Sequence, residues 1–237
     1  MATPRQAEQY KRNQAAIVAK AHEALERAWS RLDSDPRKAR QEIVDLLTTL
    51  INYFGEMSSL QAVEYYDGLR ELAAEGRSLP RFRAEMMTAV AMEDVGPSAG
   101  WVANAVDEGD RTKALERATA ASQRLIQQWG RKTLIGNVRR DPAKPRFARV
   151  PHGKTCAFCR LLSSRGAVYY TAETAGSLGQ FHAKCDCQIV PSFDGDLPYD
   201  PEPYYDEYLT ARESAGGDLR KIVAQMRENA NVAPQPE

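Results

Sequence analysis

The chain has 237 residues, of which 43% are hydrophobic and 27% are charged, and its 32 basic residues balance 32 acidic ones. This composition is typical of globular proteins and excludes collagen-like and disordered chains. No apolar run approaches the ~18 residues that span a bilayer, and the charged first thirty residues contain no apolar core of a secretory signal. We therefore expect one or two domains, made in a reducing cytoplasm without membrane association.

The first 140 residues have the hydrophobic periodicity of α-helices. Apolar residues recur at three- and four-residue steps, which predicts helices at about 5–32, 36–54, 59–75, 81–92 and 110–129. Pro36 suits the first turn of the second helix. The stretch Val95-Gly96-Pro97-Ser98 predicts a break after the fourth helix. The apolar stripes indicate a helical core rather than a cofactor site.

After Arg140 the pattern changes to a proline-containing loop followed by short apolar runs. Strands are predicted at Phe147 and Val150, at Val168, Tyr169 and Tyr170, and at Gln188, Ile189 and Val190. Beyond Pro191 the chain is rich in Pro, Asp and Tyr. It ends in a short amphipathic stretch with Leu219, Ile222, Val223 and Met226, and residues 231–237 are expected to be disordered.

The balanced net charge conceals an uneven distribution. Residues 192–213 carry seven acids (Asp194, Asp196, Asp200, Glu202, Asp206, Glu207 and Glu213) against Arg212. Residues 131–165 carry one acid, Asp141, against ten bases: Arg131, Lys132, Arg139, Arg140, Lys144, Arg146, Arg149, Lys154, Arg160 and Arg165. This asymmetry predicts either a basic contact surface beside an acidic tail or two surfaces that meet each other in the fold.

All four cysteines fall within one short region. The spacing is Cys156-x2-Cys159-x22-His182-x2-Cys185-x-Cys187. A C-x2-C pair places two thiolates on one side of a tetrahedral ion, and a second pair from a distant loop completes the shell. The spacing predicts one structural zinc per chain, held by Cys156, Cys159 and two of His182, Cys185 and Cys187. A buried thiol cluster or late disulfides are the alternative.

Signatures of catalysis are absent from the sequence. No G-x-S-x-G, P-loop or G-x-G-x-x-G motif occurs. A closed set of four metal ligands also differs from the open site of a catalytic zinc. We therefore expect a protein that is not an enzyme and has no catalytic residues.

The cysteine region resembles the MuF-like minor head proteins of tailed bacteriophages, in the form found in phages of actinobacteria. The resemblance covers about residues 111–195, with an upstream pattern of Arg131-x-Thr133 and Asn137-x3-Asp141. Its further motifs are Val150-Pro151, Cys156-Ala157-Phe158-Cys159, Ser164-Arg165-Gly166-Ala167-Val168-Tyr169, Glu173-Thr174-Ala175-Gly176, Phe181-His182, Cys185-Asp186-Cys187 and Pro191.

This resemblance implies a minor capsid protein of head morphogenesis, made in the host cytoplasm and present inside the virion head. Its implied partners are the portal protein and the major capsid or scaffold protein. The basic run predicts packaged DNA as a further partner, through sequence-independent phosphate contacts, with a solvated basic face that meets the acidic tail as the alternative. The residues predicted to make those contacts are Arg131, Lys132, Arg139, Arg140, Lys144, Arg146 and Arg149. The alternatives are a protein associated with a capsid maturation protease and a zinc-binding nucleic-acid-binding protein.

The predicted fold class is therefore α+β, with a mostly helical N-terminal region followed by a small zinc-stapled α/β module. The predicted divisions are a portal- or capsid-associating helical region at 1–110, a MuF-like module with the Cys/His cluster at 111–195, and an acidic Tyr- and Pro-rich tail at 196–237.

Overall fold

A computed structural model describes residues 4–87, 92–152, 155–170 and 187–229. Its helices are α1 (Pro4–Trp29), α2 (Pro36–Ala74), α3 (Met92–Asp107), α4 (Arg111–Arg140), α5 (Ala157–Ser163), α6 (Glu202–Ala215) and α7 (Leu219–Asn229). The two strands are β1 (Arg146–Val150) and β2 (Gln188–Ser192). The mostly helical chain with one small sheet confirms the α+β class. None of the described helices is long and apolar enough to cross a membrane.

The first four helices surround one hydrophobic core. Buried members come from all four, including Leu25, Ile51, Val102 and Leu125. Side chains from the residues just before α2 and α4 cap these helices. At the start of α2, the Asp35 side chain accepts a hydrogen bond from the Arg37 backbone N–H at 2.9 Å. Asp110 likewise accepts from the Lys113 N–H at the start of α4. Such carboxylate caps satisfy backbone donors that the helix cannot bond internally.

The helix α2 is unbroken, so the predicted gap between residues 54 and 59 is wrong. Gly55 lies in that gap, and a Cβ built on it would come within 2.5 Å of the Trp129 indole. The glycine is therefore needed for the close approach of α2 and α4 rather than for a turn. The helix α4 also continues eleven residues past Trp129, to Arg140.

Two predictions between residues 81 and 98 are also wrong. Within the helix predicted at 81–92, residues 81–87 have no regular secondary structure and lie along α4, and residues 88–91 are outside the described part of the chain. The Asn137 side chain satisfies the backbone of this segment, since its amide accepts from the Glu85 N–H at 3.0 Å and donates to the Glu85 carbonyl at 2.8 Å. The predicted break at 95–98 lies inside α3. Pro97 removes one backbone hydrogen bond of this helix. The burial of Val95, Ala99 and Val102 in the core offsets the cost of that loss.

The strands pair antiparallel, with Phe147 opposite Pro191 and Val150 opposite Gln188. The predicted strand around Tyr169 is reduced to a single bridge, in which Phe147 and Tyr169 exchange two backbone hydrogen bonds of 2.8 and 3.2 Å. The sheet packs in a second core that also includes Tyr10, Tyr66 and Leu134. Helices α1, α2 and α4 thus supply part of the core of the cysteine region.

The acidic tail is more ordered than the sequence indicates. Residues 202–215 form α6, which the sequence analysis did not predict, and α7 confirms the amphipathic stretch with Ile222 and Met226 buried. Both helices pack on α5 through a third apolar cluster. The disorder expected for 231–237 concerns residues outside the described part of the chain.

Candidate metal centre

Three of the four cysteines lie close together at one end of the sheet. Cys156 caps the start of α5, Cys159 is in the first turn of that helix, and Cys187 directly precedes β2. All three side chains are buried and pack against one another. The Cys156 sulfur accepts a hydrogen bond from the Cys159 backbone N–H at 3.5 Å. The predicted C-x2-C unit therefore has its two thiols at the beginning of one helix.

The local fold explains why Cys187 reaches this place. Because Val150 at the end of β1 pairs with Gln188 at the start of β2, the residue before β2 lies where the chain leaves β1. Ser163 then links α5 to the strand, because its hydroxyl oxygen lies 2.7 Å from both the Arg149 and the Cys159 carbonyl oxygens and its single proton is shared between them. Two distant parts of the sequence are brought together by the sheet and this hydroxyl.

A buried arginine accompanies the thiols. Arg149 is 1% exposed. Its guanidinium donates to the Cys187 sulfur at 3.0 Å and lies 3.8 Å from the Cys159 sulfur. Moving a cation into a protein interior costs several kcal/mol unless an anion accompanies it. Thiolates are the metal-binding form of cysteine, and their negative charge would balance the guanidinium.

A second buried arginine holds the backbone at the same residue. Arg131 of α4 is 6% exposed and donates to the Cys187 carbonyl at 3.0 Å. Its orientation is also supported by a 3.2 Å hydrogen bond to the Gln127 side-chain oxygen. Cys187 is thus held from two sides, through its sulfur by β1 and through its carbonyl by α4.

The donor set suits a thiolate-binding metal such as zinc. Cysteine sulfur is a preferred zinc ligand, and a zinc shell of three or four cysteines carries net negative charge that a neighbouring arginine balances. Among the described residues, no group of three His, Cys, Asp or Glu side chains is arranged to hold a metal ion. His182 and Cys185 lie outside the described residues, so the zinc shell stays a prediction.

The residues predicted to contact DNA divide into two groups. Arg131 and Arg149 are buried at the cysteine cluster, which removes them from the protein surface. Lys132, Arg139, Arg140, Lys144 and Arg146 are exposed. Two contacts of these side chains are defined in the described part of the chain: Arg140 pairs with Glu85 at 2.7 Å, and the Arg146 guanidinium lies 5.1 Å from the centre of the Tyr170 ring.

Among the described residues, an ion pair joins the basic segment to the acidic one. Arg160 of α5 forms an ion pair with Glu207 of α6 at 2.6 Å. Asp194 pairs with Arg77, which follows α2. Some of the unevenly distributed charges in the sequence therefore form ion pairs within the fold.

The Asn137-x3-Asp141 motif at the end of α4 has a structural role that the sequence analysis did not predict. Asp141 is 1% exposed, and its carboxylate accepts hydrogen bonds from Arg70 at 2.8 Å and from the Tyr66 hydroxyl at 3.0 Å. Burial and the nearby Asp141 carboxylate raise the pKa of Tyr66. The four-residue spacing of Asn137 and Asp141, which puts both on one helix face, was the available signal.

Comparison with known proteins places the chain in a bacteriophage family. The chain matches the VG15 protein family over residues 1–211 and belongs to it. The Gene 15 protein of Mycobacterium phage L5 is 28% identical over 235 residues, covering 79% of this chain and 78% of that protein. The Gene 15 protein of Mycobacterium phage D29 is 32% identical over 114 residues, and the alignment spans 34% of this chain and 41% of that relative. No solved structure matches.

Proposed function

We propose that this protein is a minor capsid protein of a tailed phage, which joins the portal inside the assembling head and has no catalytic role. One observation carries the proposal: the described residues of the MuF-like motif from Val150 onward are gathered around one cysteine-centred unit. Val150, Tyr169 and Pro191 belong to or bridge its sheet, and Cys156, Cys159 and Cys187 are buried beside it. Membership of a phage protein family over residues 1–211 supports it.

A surface of the helical region suits a protein partner. Tyr53, Met57 and Leu60 of α2 are 61%, 37% and 50% exposed. Their spacing of four and three residues places them on one face of the helix. Exposed apolar patches of this kind mark interaction sites more often than scattered single residues do. We infer that this face of α2 contacts the portal or a capsid or scaffold protein.

The test is co-purification of the full chain with the portal protein of the same phage, together with mass spectrometry of purified heads. We expect the protein in heads and in a complex with the portal. Replacing Tyr53 and Leu60 together by Glu should abolish the complex, while Glu71→Lys on the same helix should leave it intact. Absence from purified heads would contradict the proposal, and a complex that survives the double variant would contradict the role of α2.

We also propose that the cysteine unit binds one structural zinc through Cys156, Cys159 and two of His182, Cys185 and Cys187. The buried Arg149 at 3.0 Å from the Cys187 sulfur supports this assignment, since it fits an anionic shell. If Cys187 is one of the four ligands, zinc would crosslink the start of α5 to the residue that precedes β2. Elemental analysis should find one zinc per chain in the full-length protein and less in Cys156→Ser. A metal-free preparation with the same melting temperature as the metal-loaded protein would refute the proposal.

A second candidate, a nucleic-acid-binding role, is favoured by the five exposed cations between Lys132 and Arg146. Lys132, Arg139, Arg140, Lys144 and Arg146 follow one another along the end of α4 and the start of β1. They would contact phosphates without reading bases. Association with a capsid maturation protease finds no comparable support among the described residues.

A further inference from the structure

Three exposed cations at the junction of α4 and β1 have no carboxylate partner in the described part of the chain. Arg139 lies in the last turn of α4, Arg146 begins β1, and Lys144 lies in the turn between them. None of the three forms an ion pair with a described residue, whereas the neighbouring Arg140 is engaged by Glu85 at 2.7 Å. Three positive charges without a counter-charge at one junction favour binding of an anion there.

Tyr170 links the two arginines of this junction. Phe147 and Tyr169 exchange two backbone hydrogen bonds, so Tyr170 lies across the bridge from Arg146. The Arg146 guanidinium lies 5.1 Å from the centre of the Tyr170 ring, which is within the range of a cation–π contact. The Tyr170 hydroxyl donates to the Arg139 carbonyl at 3.1 Å. One side chain therefore contacts both the last turn of α4 and the first side chain of β1.

The turn between the arginines is held on a buried carboxylate. The Asp141 carbonyl accepts from the Lys144 N–H at 2.9 Å, and the Asp141 carboxylate accepts from the Ala143 N–H at 2.8 Å. Arg70 and Tyr66 fix that carboxylate from the core side. Lys144 has a φ of 52°, a left-handed conformation that is unfavourable for any residue with a Cβ. A glycine would adopt it without strain, so the turn itself gives no reason for a lysine at this position.

We propose that Arg139, Lys144 and Arg146 form a binding site for the phosphates of a nucleic-acid backbone, with Tyr170 as its positioning residue. Guanidinium and ammonium groups are the side chains that bind phosphate oxygens. Groups that are already held lose less freedom on binding, which favours affinity. Phosphate contacts carry no base information directly, so the site binds without regard to sequence. The inference rests on the nucleic-acid-binding role proposed above and assigns that role to one site.

The test is fluorescence anisotropy of the full chain with labelled duplex and single-stranded DNA of about 20 nucleotides, at about 50 and about 200 mM salt. Tyr170→Leu leaves the net charge unchanged and should weaken binding roughly two- to tenfold, because the arginines then lose freedom on binding that they no longer lose in the free protein. Tyr170→Phe keeps the ring under Arg146 and should lose less. Tyr53→Leu, at an exposed tyrosine of α2, is the matched control and should bind like the wild type.

A second variant measures the charge of the turn. Lys144→Gly removes one cation, and glycine suits the φ of this turn, so the turn is retained. The slope of log affinity against log salt should fall by about 0.9, the value for one lost phosphate contact, whereas Lys20→Gln on α1 should leave it unchanged. Because Lys144 is exposed, this variant decides the question even if Tyr170→Leu folds poorly.

The outcomes separate this site from the wider role. Preference for the duplex or for the single strand would identify which form of DNA supplies the phosphates, and either preference supports the site. Wild-type binding that Tyr170→Leu and Lys144→Gly both leave unchanged would overturn the site but not the nucleic-acid-binding role. Absence of wild-type binding to both probes would overturn the role and the site together.

Discussion

Replacing Arg149 by Met tests whether the cysteine unit is an anionic metal shell. The guanidinium lies 3.0 Å from the Cys187 sulfur and 3.8 Å from that of Cys159. At an effective dielectric constant of about 20, a unit charge pair at the shorter distance interacts by about 5 kcal/mol before desolvation. Removing one partner of a buried pair costs about 3–5 kcal/mol, because the other charge stays buried and unbalanced. Methionine preserves most of the side-chain volume, so packing changes little.

The assay is urea unfolding of the full chain with zinc bound and after chelation, with Arg146→Met on the same strand as control. Arg146 is exposed and contacts the Tyr170 ring, so its replacement should change the unfolding free energy by no more than about 1 kcal/mol. Arg149→Met should lose about 3–5 kcal/mol with zinc and much less without it, since neutral thiols do not need a counter-charge. Competition with a chromophoric chelator should show about 10- to 100-fold weaker zinc binding. Equal losses in the two variants, or a loss that zinc does not change, would refute the charge argument.

Three further predictions concern the helices and the surface. Gly55→Ala should lower the unfolding free energy by about 1–3 kcal/mol because its Cβ meets the Trp129 ring. Gly68→Ala on the same helix has no atom within 4 Å of its Cβ and should raise the unfolding free energy by about 0.5–1 kcal/mol. Urea unfolding of both variants checks this, and a change of the same sign in the two would contradict it. Burial raises the pKa of Tyr65 above its ordinary 10.0, so the stability that this hydroxyl contributes is complete below pH 10 and falls as pH rises beyond it. Tyr65→Phe should flatten that fall in urea midpoints measured at about pH 9 and about pH 11, and identical profiles would argue against the role of burial. With five exposed cations, the logarithm of the nonspecific DNA affinity should fall with the logarithm of the salt concentration with a slope no steeper than about 4.5. Arg139→Glu should reduce this slope by about one. A gel shift without salt dependence would remove DNA as a partner.

Much of the fold was predictable from local patterns. The stripes of α1 and α4, the strands at Phe147 and Ile189, and the amphipathic α7 follow from periodicity alone. The helix break predicted near Gly55 was wrong because a glycine is equally compatible with a turn and with a close helix contact. Only the position of Trp129 in the fold distinguishes the two. The helix predicted at 81–92 was wrong over 81–87 because side chains of other helices bond the backbone of this segment: Asn137 and Thr133 on α4, more than forty residues away, and Asp67 on α2.

The candidate site was predictable in its thiols but not in its charges. A run of basic residues indicates a solvated surface, and two of its members are instead buried. The burial of these two arginines could have been predicted from their spacing to apolar residues rather than from the charge of the run. Arg149 is two residues from Phe147 and so shares its face of β1, while Arg131 precedes the buried Leu134 and Val138 of α4 at helical spacing.

The second core has a consequence for how proteins of this kind exchange parts during evolution. Phe147, Tyr169 and Ile189 bury their side chains against Tyr10 and Tyr66, which belong to the first two helices. A genetic crossover at the loop after Arg140 would join the cysteine region to helices that did not evolve with it, and would expose half of a hydrophobic core. Viable hybrids therefore require either matched residues on the new helices or an exchange that carries α1, α2 and α4 along with the sheet. We therefore expect that the cysteine region of this chain can be transferred only together with the helices that complete its core.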